Sequence, residues 1–176
     1  KTFKPIVDKL EPLQLEQSSN VYHELVKNIT YQQISYKAAD TIFARFTALI
    51  GKMDYRPEDI LNISFDTLKS VGLSRQKTQY IFCISEYFKS HDLMECKWET
   101  MDDIEIIKTL TDIKGVGVWT AKMILIFQLH RPDVFPHEDL AIRQVIKEVY
   151  NIKEEKSAFI KAAEKIAESW KPYRTI

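Results

Sequence analysis

The chain has 176 residues, enough for one substantial core or two small lobes around a cleft. Lysine plus arginine and aspartate plus glutamate each number 25, and this zero net charge excludes a protein held on nucleic acid by a broad basic field. The two cysteines, Cys83 and Cys96, exclude a four-thiolate zinc or iron–sulfur site and read as reduced thiols of an intracellular protein; no apolar run approaches the roughly 18–20 residues needed to cross a bilayer, and no signal-peptide pattern opens the chain.

Periodicity is helical nearly throughout. Val21, Leu25, Ile29 and Gln32 recur at spacings of three and four and predict a helix over 20–33. Ser35 caps a second helix carrying Ala38, Ala39, Ile42, Phe43 and Phe46, and Gly51 ends it. Pro57 opens a short turn, and Ser64 caps a short helix that stops at Val71-Gly72. Ser74 caps a helix with Ile81, Ile84, Ser85 and Phe88 on one stripe. Thr100 and Asp103 form a capping-box pattern for a helix through Leu110.

A tight turn at Lys114-Gly115-Val116-Gly117 precedes an apolar helix over about 118–129. Pro132 and Pro136 then force an extended loop. A helix beginning near Glu138 runs through Ile142, Val145 and Val149, and a last one over about 155–170 aligns Phe159, Ala163, Ile166 and Trp170. The pattern predicts an all-α unit of two lobes. Lobe 1 covers about 35–130, and lobe 2 combines about 1–34 with 131–176.

The segment Leu110 to Ala121 reads helix, hairpin, helix. Gly115 and Gly117 let the backbone turn sharply and approach a ligand. The following helix starts with free N–H groups and a partial positive charge, which bind a phosphate oxygen without a basic side chain. A plain glycine-capped joint is the structural alternative. A second glycine turn, Gly72 followed by Ser74, places Arg75 and Lys77 in a first helical turn, where cations oppose the dipole and a phosphate gives them a reason to be.

These pieces together resemble the helix–hairpin–helix DNA glycosylases, and within them the 3-methyladenine DNA glycosylase II (AlkA-type) branch. The resemblance rests on the Gly115-Val116-Gly117 hairpin followed about twenty residues later by Val134-Phe135-Pro136-His137-Glu138-Asp139. It extends to Tyr31 through Ala39, to Gly72-Leu73-Ser74 with Lys77, and to Trp170-Lys171-Pro172-Tyr173-Arg174.

The resemblance implies a two-lobed all-α fold with the active-site cleft between the lobes. It implies a monofunctional glycosylase that flips alkylated purines such as 3-methyladenine or 7-methylguanine out of double-stranded DNA and hydrolyses the N-glycosidic bond, in base-excision repair. Asp139 is then the catalytic carboxylate. Trp119, Tyr31 and Tyr36 line the base pocket; Gln33 or its neighbour Ile34 fills the gap in the DNA. Lys114, Gly115, Val116 and Gly117, with Gly72, Ser74 and Lys77, hold the backbone. No cofactor is implied, beyond a monovalent cation on the hairpin carbonyls in some relatives. The partner is damaged DNA, the protein a monomer, and the setting intracellular: bacterial cytoplasm and nucleoid, or a eukaryotic nucleus.

Other readings of the same residues stay open at this point. Asp139 also reads as a simple helix N-cap, and Glu138 is an adjacent acid. A metal site at His137-Glu138-Asp139 lacks a second histidine one turn on. Trp119 also suits a core, and Lys122 a solvated surface. The lyase-competent relatives place a lysine nucleophile where this chain has Trp119. A non-catalytic helix–hairpin–helix DNA-binding module, with no catalytic acid, is the competing class; a helical scaffold would also be neutral.

Overall fold

The computed structural model describes residues 20–175, and among them every regular element is helical. Helix α1 (Val21–Tyr31) is opened by Asn20, whose side chain accepts from the His23 amide at 2.9 Å. Helix α2 (Tyr36–Ile50) starts at Ser35 and stops at Gly51, which takes φ +79°. Pro57 begins α3 (Pro57–Leu61). Ser64 and Ser74 cap α4 (Phe65–Lys69) and α5 (Arg75–Ser90).

The start of α6 (Asp103–Thr111) differs from the expected capping box. Asp102 is the cap and accepts from the Glu105 amide at 2.8 Å, while Thr100 ends a 3-10 turn, Trp98–Thr100. A carboxylate two residues nearer the helix, directly before its first residue, serves its free N–H groups better. Helix α7 (Val118–Met123) continues as π turns over Ile124–Gln128, where the Leu129 amide reaches back to the Ile124 carbonyl at 2.9 Å. Helices α8 (Leu140–Tyr150) and α9 (Lys156–Ala167) follow, and a 3-10 turn, Glu168–Trp170, closes the last helix.

Burial divides the side chains into two cores. The larger joins α1, α2, α5, α6 and α7 through residues such as Leu25, Ile29, Phe46, Ile81, Ile84, Ile106 and Leu125. The stripe expected on α5 is all inside, and its one polar member, Ser85, shares a 2.7 Å hydrogen bond with the Tyr22 hydroxyl. The smaller core consists of Phe135, Ile146, Phe159, Ala163 and Ala167.

The lobe boundary therefore moves. Helix α1 packs into the larger core, so residues 21–31 belong with the middle helices and not with the chain end, as the predicted division had it. The physical reason is that Val21, Leu25, Val26 and Ile29 form a stripe that α5 covers. The part of that division over residues 1–19 lies outside the described residues.

The chain end is strapped to the loop before the smaller core. Arg174 grips Asp133 with Nε to Oδ1 at 2.7 Å and an Nη2 bond to Oδ2 at 2.8 Å. Thr175 donates to the Arg131 carbonyl at 2.6 Å and accepts from the Val134 amide at 3.0 Å. The Arg174 guanidinium holds the Asp133 carboxyl below its ordinary value of 3.8. Such a group contributes stability above its unfolded value and loses it as pH falls through the folded one. Arg174→Met is therefore expected to lower the melting temperature near neutral pH, and the gap from wild type should close below about pH 4. Thermal denaturation of both proteins between pH 3 and 7 checks this; a gap that persists unchanged in acid removes the ion pair as its cause.

Candidate active site

The hairpin and the loop before α8 meet at Asp139. The chain turns at Gly115, φ +100°, where a Cβ would stand 2.3 Å from the Tyr80 ring. Only glycine meets both conditions. Gly117 has an ordinary extended backbone, φ −96° and ψ 171°, and a Cβ there would meet nothing within 4 Å. It is the N-cap of α7 and supplies no side-chain cap, so the first amides of that helix have no side-chain acceptor from it. Val116 is buried and its amide donates to the Ile113 carbonyl at 3.0 Å, so the turn is packed from beneath; Lys114 is exposed.

Asp139 is the N-cap of α8. Its Oδ1 accepts from the amides of Ala141 at 2.9 Å and Ile142 at 3.1 Å. Its Oδ2 accepts from the indole Nε1 of Trp119 at 2.9 Å. The carboxylate is thus a cap and something more. Three N–H donors from two elements fix its orientation, while the residue remains partly exposed. Trp119 is 37% exposed, which leaves ring surface available beside the acid.

Glu138 occupies a different environment. Lys122 reaches both its oxygens at 2.9 Å and also donates to the Phe135 carbonyl at 3.0 Å. His137 Nε2 lies 3.2 Å from the same carboxylate. The adjacent acids are separated by their partners: one is tied into an ion pair, the other faces an indole and a helix start. The Lys122 side chain is only 12% exposed, which corrects its reading as a solvated lysine.

Several predicted residues sit elsewhere. Tyr31 and Tyr36 approach each other at the α1–α2 junction with ring centroids 6.5 Å apart, and Tyr31 also touches Phe43. The Tyr31 hydroxyl donates to Asp40 at 2.6 Å, and burial together with Asp40 pushes it up to about 12. Tyr36 is 82% exposed. Among the described residues, the hydrogen bonds and ring contacts of these two tyrosines run to each other, to Phe43 and to Asp40, and none is made directly with Trp119 or Asp139. Two cavities of ≈ 380 and ≈ 370 Å³, the first beside Trp98 and the second beside Tyr55, are lined by neither Trp119 nor Asp139.

Gln33 and Ile34 form the exposed tip between α1 and α2. Gln33 is left-handed, φ +56°, a strained state for a non-glycine residue that clusters at functional sites. Gly72, at φ +114°, turns against Ile42, and Ser74 caps α5 through the Lys77 amide at 3.2 Å. Lys77, expected on the DNA backbone, has a partner within the protein. Its ammonium donates to the Thr30 carbonyl at 2.8 Å and fastens the end of α1, and burial lowers it from its usual range. Sequence spacing carried no signal for that bond across 47 residues, nor for the Lys122–Glu138 pair.

Comparison with known proteins identifies relatives of the whole chain. DNA-3-methyladenine glycosylase 1 of Schizosaccharomyces pombe is 36% identical over 141 residues, which is 78% of this chain and 61% of that protein. The chain thus spans less than two thirds of that curated relative. The solved structure of DNA-3-methyladenine glycosidase from Bacillus halodurans matches with a TM-score of 0.86 at 31% identity, over 99% of this chain and 80% of that one. The S. pombe 3-methyladenine DNA glycosylase in complex with abasic DNA gives a TM-score of 0.75 at 28% identity, over 99% and 86%. The family profile of HhH-GPD superfamily base excision DNA repair proteins matches residues 26–172, and the chain belongs to that superfamily.

Proposed function

We propose that the protein is a monofunctional DNA glycosylase of the AlkA-type branch that releases alkylated purines, with Asp139 as the catalytic carboxylate. One observation carries the reading: the Asp139 carboxylate is held between the start of α8 and the indole of Trp119, on the helix that leaves the glycine hairpin.

The target nucleotide leaves the stack at a cost of a few kcal/mol, least for damaged or mismatched bases. The exposed Gln33–Ile34 tip fills the gap. The hairpin amides and the uncapped start of α7 take the adjacent phosphate. An alkylated purine is cationic, so it leaves readily: the C1′–N bond breaks, and its electron pair neutralises the base. Positive charge then develops on the sugar. The Asp139 carboxylate stabilises it and accepts a proton from the water that adds to C1′. The exposed Trp119 face stacks on the electron-poor base, a cation–π contact worth about 0.5–2 kcal/mol.

Cleavage of the strand requires a free amine beside C1′ to form a Schiff base. Trp119 has none, and the Lys122 amine is engaged by Phe135 and Glu138. The product is therefore an intact strand with an abasic site. A monovalent cation on the turn carbonyls belongs to the same proposal, since neutral carbonyl oxygens are the donors such an ion takes; no step depends on it.

The test is to incubate the protein with methylated DNA and measure free methylated base and strand integrity. Released base with alkali-labile but unbroken strands is the expected result. DNA binding without release of any base would reassign the chain to a non-catalytic binding module.

A further inference from the structure

We propose that Lys122 and Glu138 form a latch that sets where Asp139 stands, which makes Lys122 a positioning residue for the reaction proposed above. The inference rests on that reading. Trp119 and Lys122 are three residues apart on α7 and so share one helix face. Each holds one of two consecutive acids: Trp119 holds Asp139 at 2.9 Å, and Lys122 holds Glu138 at 2.9 Å through both oxygens. Lys122 adds a third anchor at the Phe135 carbonyl, 3.0 Å away. The loop between is tightened by its own bonds, from the His137 amide to Phe135 and from the Asp139 amide to Pro136. One helix face thus fastens the whole 135–139 loop, and the same helix begins at the hairpin assigned to the phosphate. The grip on DNA and the acid beneath the sugar are connected by a single rigid element.

An ordinary ion pair would explain less. Exposed pairs such as Arg56–Glu95, with side chains 52% and 65% exposed, contribute little. Lys122 and Glu138 are 12% and 26% exposed, and the lysine is the most enclosed cation among the described pairs. A pair taken this far out of water contributes little net stability against an apolar replacement but leaves a costly unpaired charge when one partner is lost. Here the charge left behind would be Glu138, directly next to the acid that must face the sugar. Neutralising Glu138 keeps Asp139 as the one unpaired negative side chain of the two.

The experiment compares wild type with Lys122→Met, Lys122→Arg, Glu138→Gln and the Lys122→Met/Glu138→Gln double variant. Three quantities are read for each: the single-turnover rate of methylated-base release, the affinity for abasic DNA, and the melting temperature. Misplacement of a reacting group by about 1 Å costs roughly 10²-fold, so Lys122→Met is expected to lose at least about tenfold in rate. Affinity for abasic DNA should stay within about twofold, because the hairpin is untouched. Lys122→Arg should recover most of the rate, and the double variant should be no slower than Lys122→Met alone. Glu138→Gln keeps the size of the side chain and carries the test if Lys122→Met does not fold.

Unchanged rates in Lys122→Met and Glu138→Gln, with wild type active, overturn the latch and leave the glycosylase reading intact. Losses that multiply in the double variant, or affinity that falls in step with rate, overturn it too. A wild type that releases no base overturns the functional reading, and the latch with it.

Discussion

Asp139→Asn is expected to abolish release of methylated base, with a rate loss of at least about 10²–10⁴-fold, while the protein stays folded and still binds abasic DNA. The substitution separates the two roles that the structure gives this side chain. As a cap, asparagine equals aspartate, and its oxygen keeps the bonds from the Ala141 and Ile142 amides. Its NH2 group then faces the Trp119 N–H in place of an accepting oxygen. That mismatch costs about 1–3 kcal/mol at most, and less at a partly exposed site. Chemistry suffers far more, because the negative charge beneath the developing oxocarbenium is gone. Base release and abasic-DNA affinity measured on the same preparation decide the matter. If the variant keeps its rate within about tenfold, Asp139 is a cap and the catalytic group lies elsewhere.

The two hairpin glycines should fail in opposite ways. Gly115→Ala must accommodate a Cβ at φ +100° and 2.3 Å from the Tyr80 ring. The left-handed backbone costs about 1–2 kcal/mol and the overlap about 1–3 kcal/mol, for a loss of roughly 2–5 kcal/mol. For a domain of this size that lowers the melting temperature by roughly 4–20 °C. Gly117→Ala meets neither obstacle. Its melting temperature should move by no more than about 2 °C, and its affinity for abasic DNA should fall about tenfold, because a methyl group enters the space where the backbone meets phosphate. Thermal denaturation and binding titrations on both variants read the difference. Unaltered affinity in a well-folded Gly117→Ala protein would remove the hairpin from the DNA interface.

The sequence by itself determined the local structure, because local structure is set by neighbours along the chain. Asn20, Ser35, Ser64, Ser74 and Asp139 each open a helix, and Gly51 closes one, through hydrogen bonds or backbone freedom reaching four residues or fewer. The helical period identified the buried stripe of α5 in the same way, and the Gly115–Gly117 turn announced itself by spacing. Asp139 became the candidate acid through the family resemblance, by its order after the hairpin, while its local sequence read equally as the helix cap that it also is.

What only the tertiary structure decided lies in contacts between residues far apart in sequence. Nothing near Lys77 announces Thr30, nothing near Lys122 announces Glu138, and nothing near Arg174 announces Asp133. Each is a long flexible cation whose partner is chosen by how helices pack, and a lysine in a polar stretch reads the same whether it meets solvent, phosphate or a carbonyl. The same limit moved α1 into the larger core and set Tyr31 against Tyr36, Phe43 and Asp40. The meeting of Trp119 with Asp139, twenty residues apart, needed the hairpin helix and the 135–139 loop to be brought together by the fold.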